Sequence, residues 1–336
     1  MQDSATVDLR PLGNTGVDIA PLVFGAMNFG ISTPPAEAAI MLDRAIDAGI
    51  TLVDIADVYG ESEQVVGDAL AASGRRDEVL LATKVGLPRG EGPPETWHRR
   101  EHVVASCERS LRRLGTDHID LYQLHRPSSV VPLEETLGVL AELVDAGKVR
   151  WIGSSTFAAW MVMEELAMAL ERDLPAFVSE QPPYNLLDRR IENELLPLCE
   201  RQHLAVLPWS PIGGGVLSGR YDSVDRFPEG SRAALVPQTR DRVTEPGIRL
   251  AAAVAELARE RGLSTSQLAL LWVKDQRGVT APIVGPRTLA QLDDALGILD
   301  RTLDDDARTA ADALVHPGNA VVDFHNSAGW MRASVA

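Results

Sequence analysis

The chain has 336 residues, of which 45% are hydrophobic and 24% are charged. This composition is typical of a folded protein with a large buried core. Its 32 Lys and Arg residues are outnumbered by 48 Asp and Glu residues, which gives a formal net charge of −16. Nucleic acids and anionic membranes bind basic surfaces, so we expect neither as a partner. A small anionic cofactor is compatible with this charge, because a few local groups are enough to hold it.

The sequence also carries signals about its compartment and about metals. The N-terminus has early acidic residues and no apolar segment of the kind found in signal peptides. No apolar run approaches the ~18 residues that a membrane span needs. The two cysteines, Cys107 and Cys199, give neither a disulfide framework nor a metal-ligand cluster. We therefore expect a cytoplasmic protein without a metal site.

In chain order, the first predicted element is a β-hairpin over residues 9–20 with a turn at residues 13–16. Short apolar runs then alternate with segments of helical period almost to the C-terminus. The predicted strands are residues 22–24, 51–54, 79–83, 119–124, 149–152, 177–180, 204–207 and 281–284. The predicted helices are residues 36–48, 62–73, 98–114, 133–146, 157–170, 189–201, 247–261 and 288–299.

Some residues mark the ends or the packing of these helices. Ser62 is expected to cap the second helix, and Ser264 with Gln267 is expected to open an additional helix that ends near residue 276. Four large apolar residues of the fifth helix are expected to pack in the core: Trp160, Met161, Met163 and Met168.

Eight consecutive βα units predict a parallel sheet covered by helices, either an open doubly wound sheet or a closed barrel. An open dinucleotide-binding sheet carries G-x-G-x-x-G after its first strand, whereas residues 25–30 read GAMNFG. We therefore predict an α/β fold, a single-domain (β/α)8 TIM barrel over residues 8–315 that includes the N-terminal hairpin. An irregular tail, residues 316–336, follows it. Two long connections, residues 86–99 and 213–246, are expected at the C-terminal face of the barrel.

Polar residues follow three neighbouring predicted strands at the end where barrel enzymes place their reactive groups. They are Asp54 and Tyr59 after the second strand, Lys84 after the third and His125 after the fourth. A lysine ammonium favours the phenolate of a nearby tyrosine, and a carboxylate stabilises a partly buried lysine. A neutral histidine can hold a carbonyl oxygen. Together they could protonate the alkoxide that forms when a hydride is delivered to a carbonyl carbon.

Several segments resemble the signature segments of the aldo-keto reductases. They are VDIADVYG at 53–60, TKVG at 83–86, YQLHRP at 122–127, WIGSS at 151–155, EQPPYN at 180–185, WSPIG at 209–213 and VGPRT at 284–288. Within the family, the chain resembles the bacterial branch near the deoxysugar reductases and the potassium-channel β-subunit-like members. The resemblance implies a monomeric or weakly homo-oligomeric (β/α)8 barrel that uses NADP(H) to reduce a small-molecule carbonyl substrate.

The resemblance also implies roles for individual residues. Tyr59 would be the general acid, Lys84 and Asp54 the pair that tunes its pKa, and His125 would orient the substrate carbonyl. The implied cofactor-binding residues are Gly25, Ala26, Met27, Asp54, Ser155, Thr156, Gln181, Trp209, Ser210, Pro211, Ile212, Gly213, Arg220, Gly285, Arg287, Gln291 and Asp294. The candidate substrate residues are Met27, Tyr59, Trp97 and His125.

Two positions depart from the family pattern, and the sequence leaves three other functions open. Thr156 and Ala295 stand where the family often has Asn, which weakens the expected contacts with the carboxamide and the adenine. The tail at residues 321–330 resembles members near the deoxysugar reductases, which would make the substrate a keto-sugar or a nucleotide-linked sugar. A non-catalytic NADP(H) sensor is another alternative, although the channel-subunit branch often has Asn in place of His125. A Schiff-base aldolase would use Lys84 as its nucleophile.

The tail also contains aromatic residues, which a solvated tail rarely has. We expect the tail to lie near the active-site face, with these side chains as candidates for covering it: Phe324, His325 and Trp330.

Overall fold

The structure is a computed structural model that describes residues 8–87 and 97–323. Its strands are β1 (Arg10–Pro11), β2 (Asp18–Ile19), β3 (Val23–Gly25), β4 (Leu52–Asp54), β5 (Leu80–Val85), β6 (Ile119–Leu124), β7 (Val149–Ser155), β8 (Phe177–Gln181), β9 (Ala205–Val206) and β10 (Ile283–Val284). Its α-helices are α1 (Pro35–Asp47), α2 (Ser62–Ser73), α3 (Arg100–Leu114), α4 (Leu133–Asp145), α5 (Ala159–Arg172), α6 (Leu195–Gln202), α7 (Arg232–Leu235), α8 (Glu245–Glu260), α9 (Thr265–Lys274), α10 (Leu289–Leu296) and α11 (Asp305–Leu314).

The strands from β3 to β10 form one parallel sheet. Each strand from β3 to β9 pairs with its neighbour along the chain, and β10 pairs with β3. Backbone hydrogen bonds close the ring between β9 and β10. The amides of Thr280 and Ile283 donate to the carbonyls of Val206 and Pro208, at 2.9 and 2.8 Å. The fold is therefore the (β/α)8 barrel that the eight βα units predict.

The antiparallel hairpin of β1 and β2 covers the N-terminal end of this barrel. Leu12 and Ile19 are fully buried and form one apolar cluster with barrel residues such as Leu52. Gly13 has a φ of +59°, and a Cβ atom there would lie 2.3 Å from the carbonyl oxygen of Val178. Only glycine permits this close approach of the turn to the strand. Because the hairpin covers this end, the opposite, C-terminal mouth is where a ligand can enter.

Side-chain alternation along the strands determines which residues reach the mouth. Three neighbouring strands contribute apolar side chains to the lower interior: Leu52, Ala82 and Leu121. Two positions further along the same strands are Asp54, Lys84 and Gln123. They face the same interior because side chains alternate with a period of two. The barrel is therefore apolar near the hairpin and polar at its mouth.

Several element boundaries differ from the predicted ones. β5 and β7 extend to Val85 and Ser155, beyond their predicted ends, so the polar residues at these ends belong to the strands. The predicted helix over residues 189–201 begins as a 3-10 turn and becomes α-helical at Leu195. The capping box that opens α9 is present with both of its hydrogen bonds, as predicted. Helices α7 and α11 have no counterpart among the predicted elements.

Helix α5 only partly follows the packing prediction. Met161 and Met168 pack against the core, as expected. Trp160 and Met163 are exposed, which corrects the expectation that all four large residues are core. Within residues 8–87 and 97–323, no helix combines the length and the apolar character needed to cross a membrane.

The described part of the tail, residues 316–323, runs along the segment that follows β8. The amides of Val321 and Val322 donate to the carbonyl of Leu187, at 2.9 and 3.2 Å. Val322 is buried against the core. This start of the tail therefore lies beside a loop at the C-terminal mouth. The aromatic residues expected to cover that face are outside the described residues: Phe324, His325 and Trp330.

Candidate active site

A lysine and a carboxylate form a buried ion pair at the mouth. Lys84 Nζ on β5 lies 2.6 Å from Oδ1 of Asp54, at the end of β4. The same ammonium donates to the carbonyl of Ile55, also at 2.6 Å. Both charged side chains are buried, where an unpaired charge would be costly. The two side chains therefore hold each other in place between neighbouring strands.

Two glutamines complete the surroundings of Asp54. Its second oxygen, Oδ2, accepts from Gln181 Nε2 at 2.8 Å and from Gln123 Nε2 at 3.3 Å. Gln181 Nε2 also lies 3.3 Å from Gln123 Oε1, so the two amides and the carboxylate form one network. Sequence reasoning missed Gln123. Its position two residues after the inward-facing Leu121 is the signal that would have found it.

The tyrosine and the histidine meet above this network. Tyr59 Oη lies 3.4 Å from His125 Nε2, and the two rings are edge to face with centroids 5.7 Å apart. Lys84 Nζ lies 5.2 Å from the centroid of the Tyr59 ring. Tyr59 is partly exposed at the mouth, whereas His125 is buried. The structure thus brings the predicted quartet together around one point.

His125 is held in a setting that disfavours its charged form. Burial lowers its pKa well below the usual value, and the positive charges of Arg126 and Lys84 lower it further. Its second ring nitrogen, Nδ1, has no hydrogen-bond partner among residues 8–87 and 97–323. A neutral imidazole has one donor and one acceptor nitrogen, so it can share a proton with the tyrosine or hold an oxygen.

The loop that carries Tyr59 is fastened to its neighbours. Ser62 does not cap α2 as expected. It is the first residue of the helix, and its hydroxyl donates to the carbonyl of Ala26 at 2.7 Å. Asp57 is buried in the same loop, and its pKa is raised to about 7 by burial and by the charge of Glu63. The hydrogen bond of Ser62 holds the tyrosine loop against the loop after β3.

Four residues proposed for the nicotinamide end lie together at or just after the ends of β7, β8 and β9. Ser155 Oγ donates to the carbonyl of Gln181 at 3.0 Å, and Trp209 Nε1 donates to Thr156 Oγ1 at 3.3 Å. Thr156 has a φ of +62°, a left-handed conformation that is strained for a β-branched residue. Asn tolerates this conformation better. This difference gives a backbone reason for the Asn that the family often has here.

The loop after β9 forms one side of a region that we call the cleft, which lies between this loop and the loops after β3 and β10 and is spanned by Arg232. Gly213, Gly214 and Gly215 have consecutive φ values of 61°, 64° and 97°. Ser210 is also left-handed, and its carbonyl accepts from Asn185 Nδ2 at 3.0 Å. The same segment includes the remaining predicted residues of this loop, Pro211 and Ile212. The run is tightly folded, because the amides of Gly213 and Gly215 donate to the carbonyls of Ser210 and Ile212, at 2.9 and 3.0 Å. Gly213 is buried, whereas Gly214 and Gly215 are partly exposed.

The opposite wall is built from the loops after β3 and β10. Asn28 Nδ2 donates to the carbonyl of Gly285 at 3.0 Å, which joins the two loops. Gly25 lies between the strands, where a Cβ atom would be 2.8 Å from Ile283 Cγ2. Met27 Sδ lies 3.9 Å from Nη2 of Arg232, a residue of α7.

Arg232 reaches across the cleft, because its Cδ also lies 3.9 Å from the place where a Cβ of Gly214 would be. Arg287 lies beyond it, and burial together with the charge of Arg220 lowers its pKa. Within the described part of the chain, no carboxylate forms an ion pair with Arg232 or Arg287. Guanidinium groups suit phosphate oxygens, so these two arginines beside the glycine turn fit a phosphate-bearing cofactor.

Other predicted cofactor residues lie at the outer end of the cleft, and one predicted substrate residue lies at the start of the second described range. Gln291 Oε1 accepts from the amide of Arg287 at 2.9 Å, and Asp294 Oδ2 accepts from Ser264 Oγ at 3.0 Å. Arg220 is exposed. Trp97 is partly buried and directly follows residues outside the described range, so its contact with substrate stays a prediction.

Sequence reasoning also missed three arginines that lie near the quartet. They are Arg126, which directly follows His125, and Arg232 and Arg242, which belong to the long connection after β9. The first could have been found from its place beside a predicted site residue. The other two are brought to the mouth by the path of a connection that has no regular pattern.

Comparisons with known proteins identify the family of the chain. The model of the aldo/keto reductase family matches residues 21–316. The chain is 36% identical to the "uncharacterized oxidoreductase YrpG" of Bacillus subtilis (strain 168), covering 87% of this chain and 91% of that protein. It is 33% identical to a "probable voltage-gated potassium channel subunit beta" of Oryza sativa subsp. japonica, covering 87% and 90%. It is 32% identical to "protein tas" of Escherichia coli (strain K12), covering 90% and 95%.

Proposed function

Because the chain belongs to the aldo/keto reductase family, we propose that it is an NADPH-dependent reductase that converts an aldehyde or ketone into the alcohol. Family membership supports carbonyl oxidoreduction in general. The observation that supports the specific reaction is the quartet at the mouth, in which Tyr59 lies 3.4 Å from His125 and 5.2 Å from the Lys84 ammonium. This arrangement is suited to giving a proton to a carbonyl oxygen.

In the proposed mechanism, bound NADPH supplies the hydride to the carbonyl carbon. Tyr59 Oη donates its proton to the oxygen as negative charge develops there. The Lys84 ammonium favours the phenolate that this transfer leaves behind, and Asp54 keeps the ammonium in place. Neutral His125 orients the carbonyl oxygen beside the phenol, because it can donate one hydrogen bond without carrying a charge.

We assign the cofactor to the cleft beside the quartet. Arg232 and Arg287 would neutralise the charge of its phosphates, which would lie beside the glycine turn at residues 213–215. Ser155 and Gln181 would hold the carboxamide, and Trp209 would pack on the nicotinamide ring. All of these lie at the ends of barrel strands or in the segments that follow them.

The decisive experiment replaces Tyr59 by Phe. We expect reduction of aldehydes with NADPH to fall by at least about 100-fold, because general acid catalysis contributes on that order, while NADPH binding by fluorescence titration is retained. Tyr122→Phe is the matched control. That tyrosine is fully buried and its hydroxyl contacts the carbonyl of Val103, so its loss should leave the rate within a few-fold. Full activity of Tyr59→Phe would mean that the acid is misassigned.

The same assay separates the other functions. A cofactor sensor, which the similarity to a potassium channel subunit raises, would bind NADPH but turn over no carbonyl in a broad panel. The buried His125 beside Tyr59 favours an enzyme instead. A keto-sugar reductase would act far better on a nucleotide-linked keto-sugar than on simple aldehydes. A panel with NADPH and NADH side by side also tests the cofactor preference.

A further inference from the structure

Two arginines flank the same aromatic ring next to the proposed carbonyl position. The guanidinium carbons of Arg126 and Arg242 lie 5.7 and 5.8 Å from the centroid of the Trp209 ring. Arg126 comes directly after His125, at the end of β6, and Arg242 comes from the long connection after β9. Two separate segments of the chain therefore bring positive charge to one place.

Arg126 lies at the proposed nicotinamide end of the mouth, apart from the glycine turn and Arg287. Arg126 Nη1 lies 3.3 Å from Ser155 Oγ, on the β6 and β7 side of the mouth. The glycine run and Arg287 lie on the β9 and β10 side. Arg126 is therefore on the side of the mouth away from the proposed phosphate wall, and close to where the substrate carbonyl would lie.

The electrostatic setting of the two arginines favours an anion. Burial lowers the pKa of each guanidinium to about 10, and the charge of Arg242 contributes to the lowering at Arg126. Arg232 adds a third positive charge, which contributes to the lowering at Arg242. The Tyr59 phenol is close enough to affect the pKa of Arg126 and of Arg232. A ligand with a negative group beside its carbonyl would relieve this concentration of positive charge.

One buried acid lies near Arg126, and its oxygens already have partners. Glu180 accepts from Ser154 Oγ at 2.5 Å and from the amide of Phe157 at 3.1 Å. Burial raises the pKa of Glu180 to about 7, against the effect of these bonds and of Arg126. A carboxyl group with this pKa is only partly ionised at neutral pH.

We propose that the substrate is an aldehyde or ketone that also bears a carboxylate, which Arg126 and Arg242 bind while the carbonyl lies at Tyr59 and His125. This inference rests on the proposed reductase function and specifies its substrate class. Arginine suits the task because its planar guanidinium matches a carboxylate. The same groups would discriminate against neutral carbonyls of equal size.

The first test compares a charged substrate with its neutral ester. Purified protein is assayed with NADPH on 4-carboxybenzaldehyde against methyl 4-formylbenzoate, and on 4-oxobutanoate against its methyl ester. We expect kcat/KM to be higher for the carboxylates by about 10-fold or more, the effect of one hydrogen bond to a charged group. Equal values, or higher values for the esters, would overturn the inference and leave the reductase function intact.

The second test asks whether the two arginines cause the preference. Arg126→Gln and Arg242→Gln should each lower the carboxylate-to-ester ratio by about 10-fold, and Arg126→Lys should keep part of it. Arg226→Gln is the matched control, because Arg226 is exposed in the same connection and pairs with Asp222 at 2.5 Å. Its ratio should not change. If the Gln variants raise the KM for NADPH and leave the ratio unchanged, the arginines hold the cofactor and the inference is wrong.

A binding measurement separates this inference from the proposed reaction. Calorimetry with NADP+ present compares 4-(hydroxymethyl)benzoate with its methyl ester, and needs no turnover. Tighter binding of the carboxylate that is lost in Arg242→Gln supports the anion site, whether or not the protein reduces carbonyls. Absence of any carbonyl reduction would refute the proposed reaction and leave the anion site standing. Equal binding of the two ligands refutes the anion site whatever the activity.

Discussion

The buried pair of Lys84 and Asp54 allows a double-mutant test of how the site is held. In Asp54→Asn, the fully buried Lys84 ammonium keeps its 2.6 Å bond to the Ile55 carbonyl but loses its counter-charge. Both oxygens of Asp54 accept hydrogen bonds, one from Lys84 and the other from the two glutamines. The NH2 group of an asparagine would replace one of these oxygens and so face a donor. In Lys84→Met, the carboxylate keeps its glutamine donors but loses the ammonium.

The expected magnitude follows from the burial of both charges. Removing one partner of a buried pair costs about 3–5 kcal/mol, because the other charge is left without compensation. The double variant Asp54→Asn/Lys84→Met contains neither charge, so it should lose less than the sum of the single changes. We expect a coupling energy of at least about 2 kcal/mol, well above the ~0.5 kcal/mol seen for independent sites. Stability and activity should diverge, because the double variant regains stability but not the ammonium beside Tyr59.

Urea unfolding followed by circular dichroism gives the free energy of unfolding of the four proteins, and NADPH oxidation gives their activity. Additive single effects, within about 0.5 kcal/mol, would show that the two charges do not depend on each other. A double variant with wild-type reductase activity would refute the assignment of the pair to catalysis. The first result would contradict the electrostatic argument, and the second would contradict the catalytic one.

Three further changes test other parts of the structure. Thr156→Asn should raise the free energy of unfolding by about 1 kcal/mol in urea, since it relieves a left-handed β-branched residue, and no gain would contradict the strain. Gly213→Ala puts a Cβ 2.5 Å from Leu187 Cδ1, so we expect NADPH binding to weaken by about 10-fold. The control is Gly230→Ala, where φ is also positive, at +68°, but a Cβ meets no atom within 4 Å; its Kd for NADPH should not change. Burial raises the pKa of Glu165 to about 8, so the folded protein binds its proton more tightly between about pH 4.5 and 8 and loses stability as the pH rises. Glu165→Gln should remove this loss and raise the free energy of unfolding by about 1–3 kcal/mol at pH 8. If the urea midpoints of the variant and the wild type change in parallel from pH 5 to 8, the reasoning is refuted.

The barrel could be predicted because its strands are buried on both faces and appear as separate apolar runs. Their ends were harder to predict, because a barrel strand ends in polar residues that serve the site. Strand β5 continues to Val85, through Lys84, since the lysine has a buried partner that the local pattern does not show. Ser62 illustrates the same limit: its hydroxyl bonds to Ala26, 36 residues away in sequence, instead of capping its own helix.

The quartet could be predicted from the ends of neighbouring strands, but the network beneath it could not be predicted in full. Gln123 looks like any polar residue in an otherwise apolar strand until the register brings it to Asp54. The strain at Thr156 is a backbone property that appears only once φ is known. The sequence suggested an unusual residue at that position without giving its cause.

The net charge of −16 gives no sign of the arginines at the mouth. The resemblance predicted Arg287, but Arg232 was recognised only in the fold. Many arginines of the chain are neutralised by acids far away in sequence, as Arg189 is by Asp312, 123 residues later. Which arginines are paired is therefore decided by the tertiary structure, and the net charge says nothing about it. Arg232 and Arg287 form no ion pair with the described acids and lie along the cleft, so the positive field there is local to an acidic body. We expect such a local field to attract a small anion to the mouth even though the net charge of the protein is negative.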